Sequence, residues 1–239
     1  MAERFPRPVA GWAPGTFLGG LAPAAAGELF GHSVRRRYET GRTILREGAL
    51  ESHIVVLESG FVKITTAVEG FETLLGLRLP GELIGEIGAL TGSPRNATAT
   101  ACGTVHARIV TRTVFEQFLR RHPEASNLVM AMIARQLTWA NRRRSDFAAF
   151  PAHIRLARLL VEIAEVCGRP QPDGSIDIAV PLSQPELAAM IAIARATVQK
   201  AVHELRDRKL IGTAYRRITI LDPAGLHRLS DGLTPAGGG

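Results

Sequence analysis

A change of period constrains this chain more than any single motif. From Arg36 to about Arg112 side-chain character alternates over short runs, as in HIVVLESGFVKITTAVEGFETLLGLRL, with breaks at Ser59-Gly60 and Glu69-Gly70. Period-two alternation suits a strand with one face buried, and glycine supplies the positive φ that tight hairpins require. TATACGTVHARIV continues the rhythm, and short strands at this spacing point to an antiparallel barrel or sandwich. After Thr113 the apolar residues fall at helical spacing. The expected class is therefore α+β, with the β half first.

The helical half opens with a long helix from Glu124 to about Phe147. Met130, Ile133, Leu137, Ala140, Arg144 and Phe147 are spaced alternately three and four apart, the seam that packs against a parallel partner helix. The alternative is a helix lying on its own domain. Arg142, Arg143 and Arg144 read as a solvated basic end, favourable near a helix C-terminus. Pro151 suits the first turn of the next helix, HIRLARLLVEIAEV, so Asp146 to Ala152 is the expected hinge. GRPQPDGS reads as a loop and IDIAV as a short strand.

Composition narrows the chemistry. The 239 residues carry a formal charge of +7, which favours nucleic acid, anionic ligands or a membrane surface. Only three of the 29 basic residues are Lys, so part of that charge is read as an arginine habit. Cys102 and Cys167 stand alone, which argues against a disulfide framework, a zinc site or a cysteine-held cluster. His32, His53 and His106 show no ligand spacing, and no metal site is expected. There is no Ser/His/Asp set or P-loop, so no catalytic residue is assigned. PVAGWAPGTFLGGLAPAAAG has the look of a signal peptide, but its Pro and Gly residues break the apolar helix and Glu3 dilutes the basic end. No other window approaches the ~20 apolar residues of a membrane span. A cytoplasmic protein without membrane partners is expected.

The stretch GEIGALTGSPRNATATA sets Glu86 and Arg95 nine residues apart among small or weakly polar residues. A guanidinium offers a planar fork of donors matched to phosphate oxygens. Gly85 and Gly88 let backbone N–H groups approach an anion, and the start of a short helix adds a favourable dipole. The alternative is a buried ion pair between Glu86 and Arg95, a poor return for its desolvation.

PLSQPELAAMIAIARATVQKAVHELRDRKLI reads as two helices joined by a tight turn. Ser183 and Glu186 form a capping box, and Leu187, Met190 and Ile191 face Val198, Val202 and Leu205. The second helix starts near Arg195 and turns Arg195, Ala196, Gln199 and Lys200 outward. Such a helix can enter the DNA major groove, where Arg pairs with guanine and Gln with adenine. From Arg195 to Arg217 there are seven Lys or Arg against two Asp or Glu, the footprint of a phosphate-binding face. GTAYRRITIL follows as a hairpin with Arg216 and Arg217 near its tip, a plausible wing.

From roughly Phe17 to Leu221 the order of these parts resembles the cyclic AMP receptor protein and fumarate-nitrate reductase regulator family of bacterial transcription factors. GRTILREG, VVLESGFVKI, PGELIGEIG and RATVQKAVHELRDRKLI carry the resemblance together. It implies a double-stranded β-helix (jelly-roll) sensor over 23–123 after a flexible lead of 1–22. A dimerisation helix over 124–147, a winged helix-turn-helix domain over 148–233 and a disordered tail at 234–239 complete it. It implies a cyclic nucleotide as reversible effector, cyclic AMP first and cyclic GMP second, with no permanently bound cofactor. Glu86 would hold the ribose 2′-hydroxyl and Arg95 the cyclic phosphate, within a set of Gly85, Glu86, Ile87, Gly88, Arg95 and Asn96. Asn141 is the nearest equivalent of the family's base-contacting hydroxyl; a solvent-facing Asn is the alternative. The implied DNA contacts are Ser183, Arg195, Ala196, Thr197, Gln199, Lys200, Arg216 and Arg217, in a homodimer that works with RNA polymerase on a palindromic operator. Ala196 stands where the family usually has Glu, so one cytosine contact is missing, and Ala192 and Ala194 stand where Gly and Ser are usual.

Overall fold

This computed structural model describes residues 12–68 and 71–232. The chain divides into two compact units, Met1–Ala67 with Gly76–Thr138 and Val68–Leu75 with Trp139–Gly239. The boundary expected from sequence lay at residue 148; the division falls within the long helix instead.

The first unit runs α1 (Phe17–Gly20), α2 (Pro23–Gly31), β1 (Val34–Tyr38), β2 (Thr43–Leu45), β3 (Ile54–Val68), the last three residues of β4 (Phe71–Arg78), β5 (Leu83–Ile84), α3 (Glu86–Thr91), β6 (Thr98–Val110), α4 (Arg112–Arg121) and the first part of α5 (Pro123–Ala149). Its sheet has the order β1-β6-β3-β4, with β2 on β6 and β5 on β3. The run Ile54-Val55-Val56-Leu57 explains how such a sheet is filled. Successive side chains of a strand point to opposite faces. Ile54 and Val56 enter one core with Phe17, Leu29, Phe115, Phe118 and Met132 from the helices, while Val55 and Leu57 enter another with Leu45, Val62, Ile84 and Val105 from the strands. Both faces are covered, so the strand is apolar at every position rather than alternating.

Two expectations need correcting here. Ser59-Gly60 is not a hairpin turn, because β3 continues through it and the register against β6 shifts on either side of Ser59. Gly60 takes φ +83°, and a Cβ there would lie 2.5 Å from the Thr104 carbonyl oxygen, so the glycine makes a bulge against β6. The lead expected over 1–22 is not loose from Trp12 onward, because Phe17, Leu18 and Leu21 are buried in the helical core. Residues 1–11, the Glu69-Gly70 turn and the tail lie outside the described residues.

An ionic cluster ties the sheet to α2. Glu58 accepts from Arg35 at 2.9 and 3.1 Å and from Arg108 at 2.9 Å, joining β3 to β1 and β6. Arg108 also lies 4.3 Å from the Phe30 ring centroid and donates to the Phe30 carbonyl at 3.1 Å, at the C-terminal end of α2.

The second unit holds the rest of α5, then α6 (Ala152–Cys167), β7 (Gly168–Pro170), β8 (Ile176–Ile178), α7 (Gln184–Met190), α8 (Arg195–Asp207), β9 (Ile211–Ala214), β10 (Arg217–Ile220) and α9 (Pro223–Ser230). Its sheet has the order β7-β8-β10-β9. GRP, read as loop, is a strand, because Gly174 at φ +84° turns the chain back and Ser175 donates twice to Asp173. Three residues other than glycine have positive φ among the described residues: Ala192 (51°), Lys209 (57°) and Arg216 (54°).

The Glu58 cluster yields a signed pH dependence. Burial raises the Glu58 pKa, but the hydrogen bonds and charges of Arg35 and Arg108 outweigh it and hold the carboxyl below its ordinary value. Its contribution to stability is therefore present above about pH 4.5 and is lost as pH falls through the lowered folded value. Glu58→Gln is expected to cost about 3 kcal/mol at pH 7. Urea unfolding of the two proteins from pH 7 to pH 3 should show the difference shrinking toward the acid end.

Candidate functional site

The first candidate site is built around Arg95, which is 3% exposed. Its backbone N–H donates to the Ala49 carbonyl and its own carbonyl accepts from Gly48, both at 2.8 Å, so the residue is pinned to the turn after β2. Its guanidinium turns inward, with Nη1 donating to the Gly85 carbonyl at 2.6 Å and Nη2 to the His53 carbonyl. The buried Nε–H finds no acceptor in the protein. Burial lowers the Arg95 pKa, with Glu51 and then Glu86 partly offsetting it.

The approach of Arg95 explains the glycine before Glu86. Gly85 has φ +82° and caps α3, and a Cβ there would stand 2.4 Å from Arg95 Nη1. Gly88 is similarly confined, 3.0 Å from the Ser93 carbonyl oxygen. Glu86 opens α3 and is 4% exposed. Burial pushes its pKa up, against the pull of Arg78, its own backbone N–H and the Gln136 side chain on α5, while Glu82 pushes the same way as burial. Among the described residues no ion pair joins Glu86 to Arg95, which removes the ion-pair alternative. Ile87 is half-buried and Asn96 exposed. Asn141 belongs to the second unit and is exposed.

The second candidate site is the pair α7 and α8. Ser183 and Glu186 form the expected capping box, with Ser183 Oγ donating to Glu186 Oε2 at 2.7 Å, so the Ser183 hydroxyl is already engaged. Leu187, Met190, Ile191, Val198, Val202 and Leu205 are all buried. Arg195, Ala196, Thr197, Gln199 and Lys200 are exposed along the start of α8. The turn is built without the usual residues: Ala192 takes the left-handed conformation, and Ala194 caps α8 with no side-chain hydrogen bond.

Behind this pair, three arginines hold α6 and the end of α5 in place. Arg143 stacks over Trp139 at 3.7 Å and donates to the Met190 carbonyl. Arg155 donates to the Ile191 carbonyl at 3.0 Å. Arg158 donates to Asp146 at 2.6 Å and to the Ser230 carbonyl at 2.7 Å, stacked 3.9 Å from Phe150. The reading of Arg142 to Arg144 as a solvated end is thus corrected for Arg143, whose side chain is 15% exposed and whose pKa burial lowers to about 10. The cavity between these groups has about 10 Å³, too little for an organic ligand. The segment expected to be a hinge is held at Asp146 by this cluster.

Residues 35–122 match the family model described as cyclic nucleotide-binding domain, and residues 154–229 that of the Crp-like helix-turn-helix domain. The chain belongs to the Crp/Fnr family of transcription regulators. This Crp/Fnr protein is 28% identical over 210 residues to the CRP-like cAMP-activated global transcriptional regulator of Mycobacterium tuberculosis, covering 87% of this chain and 93% of that one. It is 27% identical over 215 residues to the cyclic AMP receptor protein of Thermus thermophilus, covering 90% and 96%. A solved CRP-family transcriptional regulator, also from Thermus thermophilus, superposes with a TM-score of 0.69 at 28% identity, covering 82% of this chain and 96% of that one. The Crp/Fnr protein is accordingly a DNA-binding regulator with a cyclic nucleotide-binding domain, not an enzyme. Among the described residues no helix is long and apolar enough to cross a membrane.

Sequence reasoning about this regulator missed Arg78 and Gln136 beside Glu86, and Arg158 beside Asp146. The residue types carried no signal for the first two, since the period of α5 drew attention to Leu137 next door. An arginine beside an aromatic in consecutive helices was a weak signal for the clamp.

Two outcomes follow from the burial. The folded pKa of Glu86 is raised, so the group favours the fold below about pH 4.5 and turns unfavourable as pH rises through the folded value. Glu86→Gln should therefore melt above the parent at pH 8, with the gap closing toward pH 4.5. Arg158→Ala takes from buried Asp146 its hydrogen-bonded cation, with Arg143 and Arg155 still nearby, and should cost about 2–3 kcal/mol in denaturant unfolding.

Proposed function

We propose that this regulator is a homodimer whose DNA binding is gated by a cyclic nucleotide held between Glu86 and Arg95. The observation that supports this most is the Arg95 Nε–H, buried and without an acceptor in a residue 3% exposed. Buried donors are almost always satisfied, and a phosphate oxygen is the acceptor a guanidinium suits best. Glu86, kept in a dry setting, is placed to accept from a ribose hydroxyl. Gln136 on α5 acts on Glu86, so a ligand that touches Glu86 also bears on the long helix. Cyclic AMP is the first choice of effector, in line with the names of the two curated relatives, and cyclic GMP the second. Gly85, Ile87, Gly88 and Asn96 complete the cassette.

The dimer reading rests on α5, where Met130 and Leu137 are 60% and 61% exposed on the heptad seam. Two copies of α8 would then read a palindromic operator in successive major grooves, about 34 Å apart. Arg195 reads guanine and Gln199 adenine, with Lys200 and Thr197 beside them. Ala196 offers only a methyl group, which suits the methyl of thymine rather than the amino group of cytosine. Ser183, Arg216 and Arg217 flank this face, and the β9–β10 hairpin is its wing. The setting is the cytoplasm, with RNA polymerase as the further partner.

A specific observation favours a second reading, a regulator of the same fold that binds DNA without a nucleotide. Both Nη atoms of Arg95 are already engaged by backbone carbonyls. Calorimetric titration with cyclic AMP, cyclic GMP and cyclic di-GMP, joined to footprinting with and without each, separates the two. Gating requires heat with one nucleotide, its loss in Arg95→Gln, and tighter DNA binding in its presence. No heat with any of them and unchanged footprints would leave the constitutive reading.

A further inference from the structure

The hairpin β9–β10 ends in two residues, Tyr215 and Arg216, because Ala214 pairs with Arg217. Tyr215 is 89% exposed, far above any other large apolar or aromatic side chain of its unit. A bare aromatic ring at the tip of a tight turn is not there for packing. Each arginine beside it has an acid of its own unit within 4 Å. Arg217 donates to Asp177 on β8 at 3.1 Å. Arg216 lies 3.8 Å from Glu186, the acid of the capping box that starts α7.

The backbone is set to allow this. Arg216 has φ +54°, a left-handed conformation that is strained in a residue other than glycine. In return its carbonyl accepts from the Leu182 N–H at 3.2 Å, one residue before the cap of α7. The tip is therefore fastened to the beginning of the helix-turn-helix by a hydrogen bond and a charge contact. Tyr215 is carried outward from that junction.

We propose that Tyr215, at the tip beside Arg216 and Arg217, is a contact of the hairpin to DNA, its hydroxyl donating to a backbone phosphate oxygen beside the half-site. This rests on the reading of α8 as the recognition helix. Tyrosine is among the side chains that donate to phosphate, and such contacts fix register without reading sequence. A ring with two rotatable bonds loses little freedom when it docks. Arg216 and Arg217 keep 46% and 70% of their side chains exposed beside those acids, so the tip offers the tyrosine hydroxyl alongside two cations.

The test uses the full chain and a duplex bearing its selected site. Tyr215→Phe should weaken binding roughly three- to tenfold, the size of one hydrogen bond, and Tyr215→Ala at least as much. The slope of affinity against salt should stay unchanged, because no charge is lost. Base preference at every position should also stay unchanged. Replacing single phosphates by neutral methylphosphonates should reveal one position that weakens the parent and leaves Tyr215→Phe indifferent. Melting curves matching the parent's would exclude a folding effect in this exposed residue. Parental affinity in both Tyr215 variants overturns the proposal. So does normal DNA binding with loss of transcription in a reconstituted assay, which points to a protein partner. If the parent itself ignores duplex DNA, the recognition-helix reading falls together with the tyrosine.

Discussion

The first unit is organised around the burial of one guanidinium. Arg95 cannot leave water without acceptors for its fork of N–H groups, and the acceptors come from segments far apart in sequence. The Gly85 carbonyl lies at the turn into α3, the His53 carbonyl just before β3, and the turn at Gly48 and Ala49 holds the Arg95 backbone. Fixing this one side chain therefore fixes four stretches of chain relative to each other. It also leaves the Nε–H without an acceptor in the protein.

The second unit uses arginine in a related way. Arg143, Arg155 and Arg158 donate to the carbonyls of Met190, Ile191 and Ser230, at the C-terminal ends of α7 and α9. Arg108 does the same to Phe30 at the end of α2 in the first unit. Helix ends leave carbonyls without partners and carry partial negative charge, so a cation there satisfies both needs. A planar guanidinium can also lie on an aromatic ring while donating sideways, as over Trp139, Phe150 and Phe30, which an ammonium does less well. The scarcity of lysine, read from composition as a habit, has at these four places a structural use.

The order of strands and helices could be read from period alone, because a run such as IVVL and the seam of α5 are local patterns. The bulge at Gly60 was misread as a turn, since a glycine with positive φ serves either purpose and only the partner strand decides which. The cassette was visible as a spacing of Glu86 and Arg95, but their electrostatic neighbours were not. Arg78 and Gln136 reach Glu86 from β4 and α5 through tertiary structure, which no spacing records. The hairpin arginines were found by their charge, while the orientation that engages them with Asp177 and Glu186 depends on β8 and α7.

Backbone strain is unevenly shared. In the first unit every described residue with positive φ is a glycine, including Gly41, Gly48, Gly60 and Gly85. In the second unit Ala192, Lys209 and Arg216 hold that conformation with a Cβ present, at the turn between α7 and α8, the end of α8 and the hairpin tip. Each carries a penalty that glycine would avoid. Replacing any of the three by glycine would relieve its own strain at the cost of a looser unfolded chain, a trade the first unit has already made at each of its left-handed positions.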